Sequence, residues 1–141
     1  MKIKTIIAAA LTGAALTVSS SMTANDLMTP ETLWSMHRLG SFAVSPQGDR
    51  VVYTLSTPDI QANKNRTAIL TIGIDGTGRK RLTTGQESEV EPTFIADGKR
   101  IAFLKGGDLW TMDCEGQDRK QLSKTGDIEG FKFSPDGKQV I

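Results

Sequence analysis

The feature that most constrains this chain is a repeat inside it. Leu70-Thr71-Ile72-Gly73-Ile74-Asp75-Gly76-Thr77-Gly78-Arg79-Lys80-Arg81-Leu82-Thr83 aligns with Trp110-Thr111-Met112-Asp113-Cys114-Glu115-Gly116-Gln117-Asp118-Arg119-Lys120-Gln121-Leu122-Ser123 at a constant offset of forty residues. A second element recurs three times: Val44-Ser45-Pro46-Gln47-Gly48-Asp49-Arg50-Val51-Val52-Tyr53, then Phe94 to Phe103, then Phe133 to Ile141. Each copy is an apolar strand end, a tight turn closed by glycine, one or two polar residues and a new apolar strand. Glycine suits such hairpin turns because it enters φ > 0 without steric cost.

The repeat unit is therefore four short antiparallel strands in about forty residues, the content of one β-propeller blade. The fold expected is all-β: a partial β-propeller of two four-stranded antiparallel blades and the start of a third. The blades are expected at 41–83 and 91–123, with the partial one at 129–141. Leu70, Ile72 and Ile74, like Trp110, Met112 and Cys114, alternate along one face, predicting one buried and one polar face per strand. The first unit is longer than the second, and the excess, Ser56 to Arg66, reads as an enlarged polar loop on one rim. Phe94, Phe103, Trp110, Phe131 and Phe133 recur at strand positions and are read as core. Propellers close with roughly four to eight blades, so the chain is expected to be a piece of a longer protein. Alone it should leave apolar surface in water, including some of Leu70, Ile72, Trp110, Met112, Phe131 and Phe133, and should associate or melt broadly.

Two other segments precede the repeats. Residues 1–24 carry Lys2 and Lys4, an uncharged apolar run from Ile6 to Val18 and a small polar stretch ending at Ala24. That is the pattern of a secretory signal peptide, too short for a confident membrane span. Residues 25–40 are read as a linker and a short helix. Thr29-Pro30-Glu31 supplies an N-cap, a first-position proline and a first-turn acid, and Leu33, Met36 and Leu39 follow at helical spacing up to Gly40.

Composition narrows the function. Without Lys2 and Lys4, the 17 basic residues become 15 against 16 acidic ones, so nothing suggests a nucleic-acid or anionic-membrane partner. Cys114 is the only cysteine, which leaves no intramolecular disulfide and no cysteine-based zinc site; a small strand hydrophobe is its expected role. His37, the only histidine, falls in the short helix without an orienting acid, and no Gly-x-Ser-x-Gly elbow occurs. Ser45 and Ser134 precede proline in turns and are read as bonding to nearby backbone. Gly73, Gly76 and Gly78 lead into a strand rather than a helix, unlike a nucleotide loop. Asp113, Glu115 and Asp118 lack calcium-loop spacing and are read as solvated turn carboxylates. Asn65-Arg66-Thr67 is a glycosylation sequon in form only. No catalytic, cofactor-binding or metal residue is assigned, and no cofactor is expected.

The segment Met28-Thr29-Pro30-Glu31-Thr32-Leu33-Trp34-Ser35-Met36-His37-Arg38-Leu39-Gly40-Ser41, running into Val44-Ser45-Pro46-Gln47-Gly48, resembles the opening of exported peptidases of the prolyl oligopeptidase family. The branch it resembles is the dipeptidyl-peptidase and acylaminoacyl-peptidase-like one. Ser134-Pro135-Asp136-Gly137-Lys138 resembles the turn of propeller repeats shared with the periplasmic TolB protein. The resemblance implies a propeller that restricts access to a C-terminal α/β-hydrolase domain with a Ser-Asp-His triad, and hence peptide substrates reached through that domain. It implies an exported protein, periplasmic or secreted, whose catalytic residues lie outside this chain. A non-enzymatic TolB-like propeller that binds proteins or peptides is the alternative. Gln47 stands where the family turn usually has Asp, and Ile95-Ala96 where it has Ser-Pro.

Overall fold

The computed structural model describes residues 28–134, 137 and 139–141. The signal-peptide expectation for 1–24 and three residues of the third turn (135, 136 and 138) lie outside them. A one-and-a-half-turn helix, α1 (Pro30–Ser35), precedes two meanders. The first is β1 (Arg38–Val44), β2 (Arg50–Asp59), β3 (Lys64–Gly73) and β4 (Lys80–Arg81); the second is β5 (Glu89–Ile95), β6 (Arg100–Lys105), β7 (Asp108–Asp113) and β8 (Lys120–Gln121). Each forms its own four-stranded antiparallel sheet in chain order. A third unit begins with the Phe133–Val140 bridge and paired backbone bonds between Lys132 and Ile141, at 2.8 and 3.0 Å. The chain is an all-β partial propeller.

The sheets pack face to face. Register places Val52 opposite Ala43 on one face of the first blade, and Ile69 lies two residues from Thr71, Val52's partner on the other side. Val52, Ile69 and Leu82 meet Ile101, Phe103 and Met112 of the second blade in one apolar seam, bordered by Ala43, Phe94, Trp110 and Cys114. The opposite face of the second blade, Ala102, Leu104 and Leu109, is covered by Ile128, Phe131 and Phe133. The two phenylalanines meet edge to face, with centroids 5.8 Å apart, an arrangement their ring quadrupoles favour.

Several expectations change. The helix stops at Ser35, with Met36 already extended at its C-cap. Its N-terminus forms as expected, Thr29 Oγ1 accepting from Thr32 N at 3.2 Å. Leu33, Met36 and Leu39 nevertheless find nothing to pack on and stay exposed, so the ladder Arg38↔Ser56, Leu39↔Leu55 captures the chain instead. His37 consequently sits between helix and strand, and the first blade begins at Arg38 rather than Ser41. The stretch Ser56–Arg66 is not an enlarged loop: β2 and β3 stay paired out to Asp59↔Lys64. Asp59 closes that hairpin, accepting from Ala62 N at 3.0 Å and from the Arg66 guanidinium at 2.8 Å. In β3, Ala68 to Thr71 are all buried, because Ile69 enters the seam while Leu70, on the other face, lies between Tyr53 and Arg81 of its own sheet. Ile74 falls past the strand end and is exposed. Of the six residues some of which were expected to face water, Leu70 is buried and Met112 is fully buried in the seam. Phe42 and Val44 are exposed instead.

Replacing Ser-Pro by Ile95-Ala96 changes the turn itself. Proline fixes φ near −65°, so in the β1–β2 turn of the first blade only Gly48 takes positive φ. In the second, Ala96, Asp97 and Gly98 have φ of 52°, 54° and 82°. A left-handed alanine costs on the order of 1 kcal/mol. Ala96→Gly should therefore raise stability by ~1 kcal/mol, while Ala96→Pro should lower it because proline cannot adopt this φ. Thermal melts of the two variants check the opposite signs.

Candidate functional site

The first strands of the blades lie side by side. Glu91 N donates to Ser41 Oγ at 3.2 Å, joining β5 to β1. Ser41, Phe42, Glu91, Thr93, Lys132 and Phe133 are among the residues lining the open groove these strands form with the third unit. In a ring of blades, such first strands face the central channel. Glu91 occupies a bulge between Val90 and Thr93 with φ of 53°, a conformation that turns its side chain out of the β alternation. Its carboxylate lies beside Gly130, where a Cβ would stand 3.6 Å from Oε2. The sequence alone gave no sign of Glu91, since a bulge is invisible to a period-two pattern.

The residues singled out by sequence do not converge on one site. His37 borders a shallow depression with Leu55, Thr57, Leu70, Arg79 and Arg81, a cationic setting with no carboxylate to orient an imidazole. Ser45 Oγ donates to Asp49 Oδ1 at 2.7 Å and accepts from Asp49 N and Arg50 N. Ser134 Oγ accepts from Gln139 N at 3.0 Å and donates to Gln139 O at 3.3 Å. Both serines close their turns. Asn65 lies near the start of β3, paired with Pro58. Gly73, Gly76 and Gly78 form the turn into β4, with Gly76 N donating to Gly73 O. Cys114 Sγ donates to Gly98 O at 3.0 Å, and burial pushes its thiol pKa up, which disfavours the reactive thiolate.

The three clustered acids each have a separate partner. Asp113 caps its turn, accepting from Glu115 N and Gln117 N at 3.0 and 2.7 Å. Asp118 pairs with Arg100 at 2.7 Å and Lys120 at 3.3 Å. Glu115 crosses the seam to Lys80 at 2.5 Å and Arg50 at 3.7 Å. No group of three metal-ligating side chains forms among the described residues, and none of their helices is long and apolar enough to cross a membrane.

Gln47, which stands where the family turn usually has Asp, also spans the seam: its Nε2 donates to Asp97 O at 2.8 Å. Arg119 does the same from the other blade, Nη2 donating to Leu82 O at 2.7 Å. Hydrogen bonding to Lys80 holds the Glu115 carboxyl below its ordinary 4.5, aided by the charges of Lys80 and Arg50. A pKa depressed in the folded state adds stability above the ordinary value, and that stability is lost as pH falls through the folded one. Glu115→Gln should therefore melt below wild type at neutral pH, with the gap closing as pH falls through and below 4.5. Melts at stepped pH check this; a gap independent of pH would contradict it.

No family model matches the chain. It is 43% identical over 122 residues to a dipeptidyl-peptidase 5 of Porphyromonas endodontalis, covering 83% of this chain and 18% of that protein. With a dipeptidyl-peptidase 5 of Porphyromonas gingivalis it shares 42% over 146 aligned positions, covering 99% of this chain and 21% of the relative. The chain thus spans about a fifth of these relatives. Among solved structures, acylaminoacyl peptidase of Pyrococcus horikoshii superposes with a TM-score of 0.65 at 22% identity, over 77% of this chain and 17% of that one. The β-propeller domain of the trilobed protease of Pyrococcus furiosus gives 0.59 at 21%, over 74% and 32%. TolB of Acinetobacter baumannii gives 0.56 at 23%, over 72% and 25%. These structural likenesses concern the fold; the two sequence relatives narrow it, and the chain belongs to the prolyl oligopeptidase family as a segment of its propeller.

Proposed function

We propose that this chain is the opening part of the propeller of an exported serine peptidase of dipeptidyl or acylaminoacyl type. In this reading, the propeller gates the approach of peptides to an α/β-hydrolase domain that lies outside the 141 residues. The observation that carries it is the 42–43% identity to two dipeptidyl-peptidases across 83% and 99% of the chain. The TolB likeness, at 23%, concerns the fold alone, and a fold shared by enzymes and binding proteins does not by itself choose between them.

The chain's own part in such a function is steric and polar. Its two inner strands and the Lys132–Phe133 segment contribute one wall of a channel, carrying the Glu91 carboxylate, the Lys132 ammonium and the Phe42 ring. A wall of that kind admits an extended peptide and excludes a folded one. The triad of the family is supplied elsewhere in the protein, and residues 1–24 act as the export signal.

The full-length gene product should hydrolyse dipeptidyl or acylaminoacyl reporter substrates and be labelled by a serine-directed fluorophosphonate, whereas residues 28–141 alone should do neither. Turnover by the short chain that disappears in His37→Ala would overturn the non-catalytic assignment. A full-length product that neither turns over reporters nor takes the label would favour the TolB-like alternative. N-terminal sequencing of the mature protein from the periplasm or medium tests export; an intact Met1 in the cytoplasm contradicts it.

A further inference from the structure

The β2–β3 hairpin outgrows the blade it belongs to. Its pair Leu55↔Ala68 corresponds to Lys105↔Asp108, where the hairpin of the second blade turns over. The first blade continues for four more pairs: Ser56↔Thr67, Thr57↔Arg66, Pro58↔Asn65 and Asp59↔Lys64. At about 3.3 Å per residue, the extension projects roughly 13 Å beyond its neighbour. It is a two-stranded arm, because β1 starts at Arg38, opposite Ser56, and β4 pairs only with Leu70 and Thr71.

The two edges of the arm differ. Ile69 N donates to Thr83 Oγ1 and Ile69 O accepts from Leu82 N, so the backbone of Ile69 faces away from β2. Alternation along an antiparallel strand turns the N–H and C=O of Thr67 and Asn65 the same way. Neither backbone has a hydrogen-bond partner there among the described residues, and Asn65 is exposed. On the β2 side the same alternation points the backbone of Pro58 outward, where proline has no N–H to offer. Pro58 thus closes one edge to an added strand, while Asn65 and Thr67 leave the other open. The side chains beside the open edge are cationic. Lys64 and Arg66 flank Asn65; Arg66 ion-pairs with Asp59, and Lys64 forms no ion pair among the described residues. Arg79 and Arg81 border the depression alongside Leu55 and Thr57.

We propose that this edge, at Asn65 and Thr67, binds an extended acidic peptide by strand addition. Asn65 exchanges two backbone hydrogen bonds with one peptide residue, and Thr67 does the same with the residue two places along. The peptide residues opposite Lys64 and Arg66 lie on the same face as those cations, and carboxylates there complete the charge pairing. Charge also selects a peptide over a second copy of this chain. A two-fold antiparallel pairing that uses both open residues sets Arg66 opposite Arg66, and one centred on Asn65 sets Lys64 opposite Arg66; like charges directly opposite destabilise a sheet. Two open residues are also far short of a stable protein interface, which buries about 800 Å² per partner, but they suffice to align a peptide. The inference rests on the peptidase reading only in taking that peptide to be a substrate.

The test uses the full-length gene product and a fluorescein-labelled, N-acetylated decapeptide of alternating Glu and Thr, with binding read by fluorescence anisotropy. Asn65→Pro removes the open N–H without touching the ladder to β2 and should weaken binding about fivefold, the loss of one backbone hydrogen bond. Asn65→Ala, which keeps that N–H, should bind like wild type. The same peptide N-methylated throughout should bind wild-type protein at least as weakly as the unmodified peptide binds Asn65→Pro, and it serves as the test if that variant does not fold. The Lys-Thr decapeptide should bind more weakly than the Glu-Thr one. In hydrogen exchange, the amides of Asn65 and Thr67 should exchange fast in the free protein and slow down with the peptide. Equal binding by wild type and Asn65→Pro, or by the plain and N-methylated peptides, would overturn the proposal. So would amides already protected without peptide, which would mean that another segment or a second copy holds the edge. Equal binding of the Lys-Thr peptide would overturn the acidic preference. Reporter hydrolysis is read separately: binding without any turnover contradicts the peptidase reading and leaves the pairing standing, whereas turnover without binding overturns the pairing alone.

Discussion

The structure depends on one apolar seam. A single four-stranded meander of some forty residues has too little interior to stand alone; here each blade uses the other as half of its core. Val52, Ile69, Ile101, Phe103 and Met112 are essentially sealed from water. Burying a side chain of this size contributes roughly 1.5–3 kcal/mol, so the five together outweigh anything the exposed ion pairs around them supply. Lys80–Glu115, Gln47–Asp97 and Arg119–Leu82 set register across the seam rather than hold it closed. The close approach at Gly116 shows how little room that register leaves.

The outer edges follow from the same economy of apolar surface. β4 and β8 are two residues long, and all four of their residues are cationic or amide-bearing long chains: Lys80, Arg81, Lys120 and Gln121. Short, charged edge strands are poor templates for pairing with another chain. Each blade therefore spends its hydrophobic residues on its two faces and leaves its outer edge soluble, which is what allows blades to stack into a ring without also stacking edge to edge.

The repeat was legible in the sequence because it is a statement about period and turn chemistry. Glycine at the turns, alternating apolar residues and the forty-residue offset each have a local physical cause. What was not legible depended on partners distant in sequence. Leu33, Met36 and Leu39 have helical spacing, yet Leu39 pairs with Leu55 and joins a strand. Ser56–Arg66 is polar, yet its ladder stays closed because Asp59 and Arg66 meet across it. Gln47 and Ile95-Ala96 stand out in the sequence only as departures from the family turn; one spans the seam and the other reverses the handedness of a turn. Of the candidate site, the absence of an elbow and the isolation of His37 were readable, while the strained Glu91 bulge on the inner strand was not.

The central claim is that the two blades share one core rather than folding as independent sheets. Ile69→Ala removes side-chain volume from the first blade's side of the seam, a change that typically costs 2–5 kcal/mol in a packed core. Amide hydrogen exchange of the full-length gene product, followed peptide by peptide, reads where that loss is felt. A shared core predicts that β6 and β7 of the second blade lose protection together with β2 and β3 of the first. Faster exchange confined to the first blade, with β6 and β7 unchanged, would contradict it.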